Sequence, residues 1–161
     1  MRLTQWTDFS LRVLMYCAAN EDRELPVTIT EIADSHGISR SHLTKVVHQL
    51  GAQGLLETTR GRGGGMRLCK PAVEINVGAV VRQTETDFAM VECFDAQTNQ
   101  CFLSPQCRLK GVLQQATNSY LAVLDGVTLA DLIAAEPKGP KSALVGMPAS
   151  RKPKKRIAQS K

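Results

Sequence analysis

Residues 28–54, TITEIADSHGISRSHLTKVVHQLGAQG, constrain the fold more than any other stretch of the chain. Thr28 followed by Glu31 fits a capping box, so a helix should start there. Ile29, Ile32 and Ala33 supply its inner face, and Gly37 breaks it, because glycine is favoured just past a helix C-terminus. Ser39 then caps a second helix whose inward stripe is Leu43, Val46, Val47 and Leu50, with Gly51 and Gly54 closing it. Two short helices joined by a tight glycine turn follow the helix-turn-helix plan.

The second helix of such a pair enters the DNA major groove with its N-terminal residues facing base edges. Here those residues are Ser39, Arg40, Ser41, His42 and Lys45. They are short donors and cations, the types that phosphates and base acceptors require. An ordinary solvated helix face would look alike, and the next stretch separates the two readings. LLETTRGRGGGMRLCKP, residues 55–71, sets Leu55–Leu56 and Met66–Leu68 around a glycine-rich tip, the pattern of a β-hairpin. Gly61, Gly63, Gly64 and Gly65 permit positive φ and close backbone approach. Arg60, Arg62 and Arg67 stand on or beside that tip. A basic hairpin directly after a helix-turn-helix reads as a wing that reaches a minor groove or the backbone. A phosphate-binding nucleotide loop would need a Gly-Lys-Ser/Thr ending between a strand and a helix, and neither is present. The candidate DNA-binding set is therefore Thr28, Ser39, Arg40, Ser41, His42, Lys45, Arg60, Arg62, Gly63, Gly64 and Arg67.

Charge supports a polyanion partner for this region. Residues 37–82 hold seven Lys or Arg and two acids. The chain's net charge of +5 comes from its end: from Pro137 onward there are eight basic residues and no acid, and the remainder carries 12 basic and 15 acidic residues. That tail is rich in Pro, Lys and Ser, so residues 136–161 are expected to form a basic disordered segment, either solubilising or touching DNA phosphates.

Helices are also expected over residues 4–19, with Thr4 as N-cap, over 76–84, over about 105–124 and over 128–135. The third of these carries an apolar stripe of Leu109, Leu113, Ala116, Tyr120 and Leu124, widened by Val112 and Val123. A chain of 161 residues has little core to cover it, so pairing with a twin in a homodimer is expected. No apolar run approaches the roughly 18 residues that span a bilayer. The start, MRLTQWTDFS, lacks a signal-peptide pattern, so a cytoplasmic protein with no membrane partner is expected.

Three of the five cysteines fall within CFDAQTNQCFLSPQC, residues 93–107. A disulfide suits the cytoplasm poorly. Zinc sites usually show C-x2-C spacing and a fourth Cys or His, whereas this loop reads C-x7-C-x5-C with no histidine nearby. A catalytic thiol needs a base and an orienting group, and none is visible near this loop. A redox enzyme or electron carrier would need neither a recognition helix nor a wing with three arginines, so the chain is not expected to be an enzyme. An iron–sulfur cluster uses thiolates and tolerates varied loop lengths. Reversible thiol oxidation without metal stays open beside it.

MRLTQWTDFSLRVLMYCAAN, ISRSHLTKVVHQL, RGRGGGMRL, DFAMVECFD and CRLK together resemble the winged-helix iron–sulfur repressors, the family containing NsrR, RirA and IscR, and above all its nitric-oxide-sensing members. The resemblance covers about residues 1–135. It implies a mainly α fold with a small β-hairpin: a winged helix-turn-helix over 1–75, a cluster loop and dimerisation helices over 76–135, and the tail beyond. It implies that Cys93, Cys101 and Cys107 hold a [4Fe-4S] or [2Fe-2S] cluster, with Asp8 from the other subunit as a further ligand. It also implies a homodimeric repressor of double-stranded operator DNA that nitric oxide releases. Nitric-oxide-sensing members often carry C-x5-C-x5-C. The first spacing here is two residues longer, and it and DFAMVECFD are similar to the iron-responsive members, which makes an iron- or cluster-status signal the alternative. Cys17 and Cys69 receive no ligand role.

Overall fold

The computed structural model describes residues 2–103 and 106–134. Among the described residues six α-helices and one two-stranded antiparallel sheet follow in the order α1 (Gln5–Ala18), α2 (Ile29–His36), α3 (Arg40–Ala52), β1 (Leu56–Thr59), β2 (Gly65–Leu68), α4 (Val77–Thr84), α5 (Arg108–Asp125) and α6 (Leu129–Ile133). The fold is mainly α with a small β-hairpin. The expected tail lies outside the described residues, as does Pro105.

Each expected cap is made. The Thr4 hydroxyl accepts from the Thr7 amide at 3.2 Å and starts α1. Thr28 and Glu31 close a reciprocal capping box at the head of α2, satisfying two amides that the first turn leaves orphaned. Gly37 takes φ 64° at the end of α2, a left-handed conformation costly to other residues, and so makes the sharp turn into α3. α3 runs through Gly51 to Ala52, and the left-handed position after it is Gly54.

Leu43, Val46, Val47 and Leu50 are all buried, as their spacing requires. They meet Val13 and Leu14 of α1 and Ile32 of α2 in one core, which Leu56, Met66 and Leu129 extend. Each fully buried aliphatic side chain contributes about 1.5–3 kcal/mol. α1 is the hub, packing on α3, β2, α4 and α6. Asn76 caps α4 through the Ala79 amide, and its own amide group donates to the Asp125 carbonyl at 2.7 Å, which ties α4 to the end of α5.

α5 differs from expectation at its start and on its faces. It begins at Arg108, with Cys107 as its N-cap. Thr117 is its one buried residue, flanked by half-buried Leu113, Tyr120 and Leu124. Leu109, Val112 and Val123 are 62%, 61% and 68% exposed, and Ala116 between them is also exposed. The broad stripe thus splits in two: one edge packs toward α4, and the other is bare on the single chain. No helix among the described residues is long and apolar enough to cross a membrane.

Candidate DNA-binding face and cysteine loop

The N-terminal turns of α3 present a polar, cationic edge. Ser39 caps the helix by accepting from the His42 amide, and its hydroxyl lies 3.3 Å from that of Ser41. Ser39, Arg40, Ser41, His42 and Lys45 are all exposed. Burial of Leu43, Val46 and Val47 turns Ser41 and Lys45, four apart, to the opposite face of α3, because residues three and four apart share a helix face, while Ser39 and Arg40 are exposed where the helix begins. The His42 ring rests 6.2 Å from the ring of Phe9 on α1, at 40° to it. Arg40, Lys45, Arg60 and Arg62 enter no ion pair among the described residues.

β1 and β2 pair in the register Leu56↔Leu68, Glu57↔Arg67, Thr58↔Met66 and Thr59↔Gly65. Leu56 and Met66 are buried, which roots the hairpin in the core. Its tip carries exposed Arg60 and Arg62, with Gly61 and Gly63 at φ 96° and 78°. A Cβ on Gly64 would lie 2.3 Å from the Thr59 carbonyl oxygen, so the tight tip excludes any side chain there. Thr28 and Arg67 are placed differently from the rest of the candidate set. The Thr28 hydroxyl is engaged with Glu31, and the Arg67 guanidinium with the carbonyls of Arg23 and Glu24.

The cysteine loop folds upon itself. Asp95 accepts from the Gln97 amide at 2.8 Å and the Thr98 hydroxyl at 3.0 Å, and the Asn99 amide donates to the Asp95 carbonyl at 3.1 Å. These donors, the Gln97 amide foremost, hold the Asp95 carboxyl below its ordinary range. Glu92 accepts from the Gln100 amide, and Asn99 from the Cys101 amide. Cys93 is buried, Cys101 and Cys107 are half-buried, and all three are free thiols. The Cys107 side chain makes no capping bond to α5, so its sulfur is open as a donor. Among the described residues no three His, Cys, Asp or Glu side chains converge, so the single chain does not gather the three sulfurs. Asp8 lies in the first turn of α1, paired with Arg12 at 2.9 Å.

Residues 3–135 match the Rrf2 family, described as an iron-dependent transcriptional regulator. The chain belongs to the Rrf2 family. It is 54% identical over 133 residues to the HTH-type transcriptional regulator NsrR of Bacillus subtilis, a match that covers 83% of this chain and 90% of that protein. Its fold superposes on that of B. subtilis CymR, a global cysteine regulator, with TM-score 0.68 at 25% identity, covering 83% and 96% of the two chains. It superposes on T. potens IscR with TM-score 0.65 at 25% identity, covering 83% and 86%. The resemblance read from the sequence motifs is borne out, and the neighbours share the winged-helix architecture.

For an Rrf2 chain the test is whether the loop residues fit an iron–sulfur group, and by donor chemistry they do. Three free thiols share one loop, two are reachable from solvent, and the last stands at the positive end of an 18-residue helix. The cysteine spacing gave no warning of the polar groups that shape this loop. Asp95 with Thr98 three residues on is a turn signal that sequence reasoning passed over. The contact of Phe9 with His42 has no signal in the sequence.

Proposed function

We propose that this Rrf2 chain is a homodimeric, cytoplasmic transcriptional repressor that binds operator DNA through α3 and the wing and senses nitric oxide through an iron–sulfur cluster. The observation that carries the reading is the exposed edge Ser39–Lys45 beside the glycine-rich, arginine-bearing hairpin. Arg40 and Lys45 reach base edges or phosphates from the groove, and Arg60 and Arg62 meet the flanking backbone or minor groove. Gly63 and Gly64 let the tip approach closely. The bare edge of α5, with Leu109, Val112, Ala116 and Val123, supports pairing with a second copy.

Cys93, Cys101 and Cys107 hold the cluster, either [4Fe-4S] or [2Fe-2S], with Asp8 of the partner subunit as a further ligand. When bound, the cluster supplies iron that nitric oxide can attack. The chain's own part is to position the thiols: the Asp95 turn fixes the path from Cys93 to Cys101, and Cys107 joins the loop to α5. The two residues by which this loop exceeds C-x5-C-x5-C favour an iron-responsive signal as the second reading.

The test is a visible spectrum with iron and sulfide analysis on protein purified without oxygen, then titrated with nitric oxide while DNA binding is followed. Brown protein that bleaches and releases DNA is expected. Loss of DNA on iron chelation with indifference to nitric oxide would favour the iron-responsive reading. Colourless protein that still binds DNA would leave a cluster-free regulator.

A further inference from the structure

Arg67 stands apart from the other wing arginines. The register Glu57↔Arg67 puts these two on the same outer face of the hairpin, yet no ion pair joins them among the described residues. The Arg67 guanidinium instead crosses to the segment between α1 and α2. Its Nη1 donates to the Arg23 carbonyl at 2.9 Å and its Nη2 to the Glu24 carbonyl. A planar fork with parallel donors suits two successive carbonyls in a way an ammonium does not.

The same segment is fixed to β2 on its other side. The Val27 amide donates to the Met66 carbonyl at 3.1 Å, and the Met66 amide to the Val27 carbonyl at 2.7 Å. A Cβ on Gly65 would lie 2.5 Å from the Val27 carbonyl oxygen, so this approach needs glycine. Arg23 in turn reaches Glu31 at 3.0 Å, and Glu31 closes the capping box with Thr28. The wing is therefore linked to the first turn of α2 through Arg23, whose carbonyl accepts from Arg67 and whose guanidinium donates to Glu31. A two-stranded hairpin is marginal alone and takes its direction from what it packs on.

We propose that Arg67 is a positioning residue for DNA binding, which fixes the wing against the helix pair and itself touches no phosphate. The proposal rests on the DNA-binding reading above. It predicts that removing Arg67 lowers affinity while every phosphate keeps its cation.

The experiment uses the full chain, purified without oxygen, and a duplex selected by the wild-type protein from a randomised library. Affinity is measured between about 50 and 200 mM salt, where the slope of log K against log salt falls by about 0.9 for each phosphate that the protein no longer neutralises. Arg67→Ala is expected to weaken binding roughly tenfold, the scale set by hydrogen bonds from a charged donor, with the wild-type slope. Arg67→Lys is expected not to restore affinity. Arg60→Ala is the control that lowers the slope. A slope lowered by about 0.9 in Arg67→Ala would make Arg67 a phosphate ligand and overturn the proposal. Wild-type affinity in that variant would reduce Arg67 to a structural role and also overturn it. Hydrogen exchange tests the clamp without DNA: the Val27 and Met66 amides are expected to exchange faster in Arg67→Lys, and unchanged protection would dismiss the clamp. If wild type selects no duplex, the DNA-binding reading fails, and the exchange result still decides whether Arg67 holds the wing.

Discussion

Glu85 Oε1 accepts hydrogen bonds from the Thr4 amide at 2.7 Å and the Thr4 hydroxyl at 3.3 Å. The residue that ends α4 thus fastens the first turn of α1, eight positions before Cys93. Both partners are partly buried. Glu85→Ala should therefore destabilise the fold by about 1–2 kcal/mol, the range for removing a cap and a charge-assisted bond. Urea unfolding followed by circular dichroism reads this, and an unchanged midpoint would show that the interaction contributes nothing.

Glu31 links stability to pH. The Thr28 amide, then the Arg23 guanidinium, hold its carboxyl below the ordinary glutamate value. A depressed folded-state pKa gives stability that is fully present above the unfolded value, about 4.3, and is lost as pH falls through the folded value. Wild type should keep a constant margin over Glu31→Gln from neutral pH down to about pH 5, and that margin should close on further acidification. A margin independent of pH down to about 3 would contradict the linkage.

Cys17 should be chemically silent. It is 3% exposed, and burial pushes its thiol up to about 12. The thiolate is the reactive form, so at about pH 8 Cys17 stays in its unreactive thiol form. Cluster-free protein treated with iodoacetamide should be labelled at Cys69, Cys101 and Cys107 well before Cys17, read by peptide mass spectrometry. Early labelling of Cys17 would mean that α1 opens.

Leu43 and Arg40 lie three positions apart on α3 and should fail in opposite ways. Leu43 is fully buried, so Leu43→Ala should cost about 2–5 kcal/mol. Arg40 is exposed, and Arg40→Ala should leave stability within about 0.5 kcal/mol while weakening specific DNA binding by about 1–3 kcal/mol. Paired melting and gel-shift titrations separate the two effects.

The bare edge of α5 gives an assembly test. Val112→Asp adds a charge at a site 61% exposed in the single chain, so unfolding of an isolated subunit should hardly change. In a dimer paired along that edge the carboxylate would be buried without a partner. Sedimentation velocity should then show monomer for Val112→Asp and dimer for wild type.

Local signals in the sequence carried most of the fold. Thr28 with Glu31, Gly37 and Ser39 each act within one turn of chain, so their reading transferred directly to α2, the turn and α3. The hairpin followed from its apolar flanks and glycines for the same reason. α5 was harder, because periodicity locates an apolar stripe without saying which edge the chain itself covers. Thr117, the residue α5 buries, is polar and satisfied by the Leu113 carbonyl and Met90 sulfur, partners that no spacing rule anticipates. The cysteine loop was legible as three thiols and illegible as a shape, since Asp95, Glu92 and Asn99 organise it through bonds specific to one conformation. Arg67 looked like its neighbours Arg60 and Arg62, and only its carbonyl partners distinguish it.

The turn closed from Asp95 to Asn99 bears on how such a loop tolerates changes in length. Once the Asn99 amide meets the Asp95 carbonyl, residues 96–98 form a self-contained excursion whose two ends return close together. Residues added or removed within that excursion alter the count between Cys93 and Cys101 far more than the distance the backbone has to cover. Insertions and deletions there are thereby cushioned, and two chains with different cysteine spacings can offer the same reach between their sulfurs.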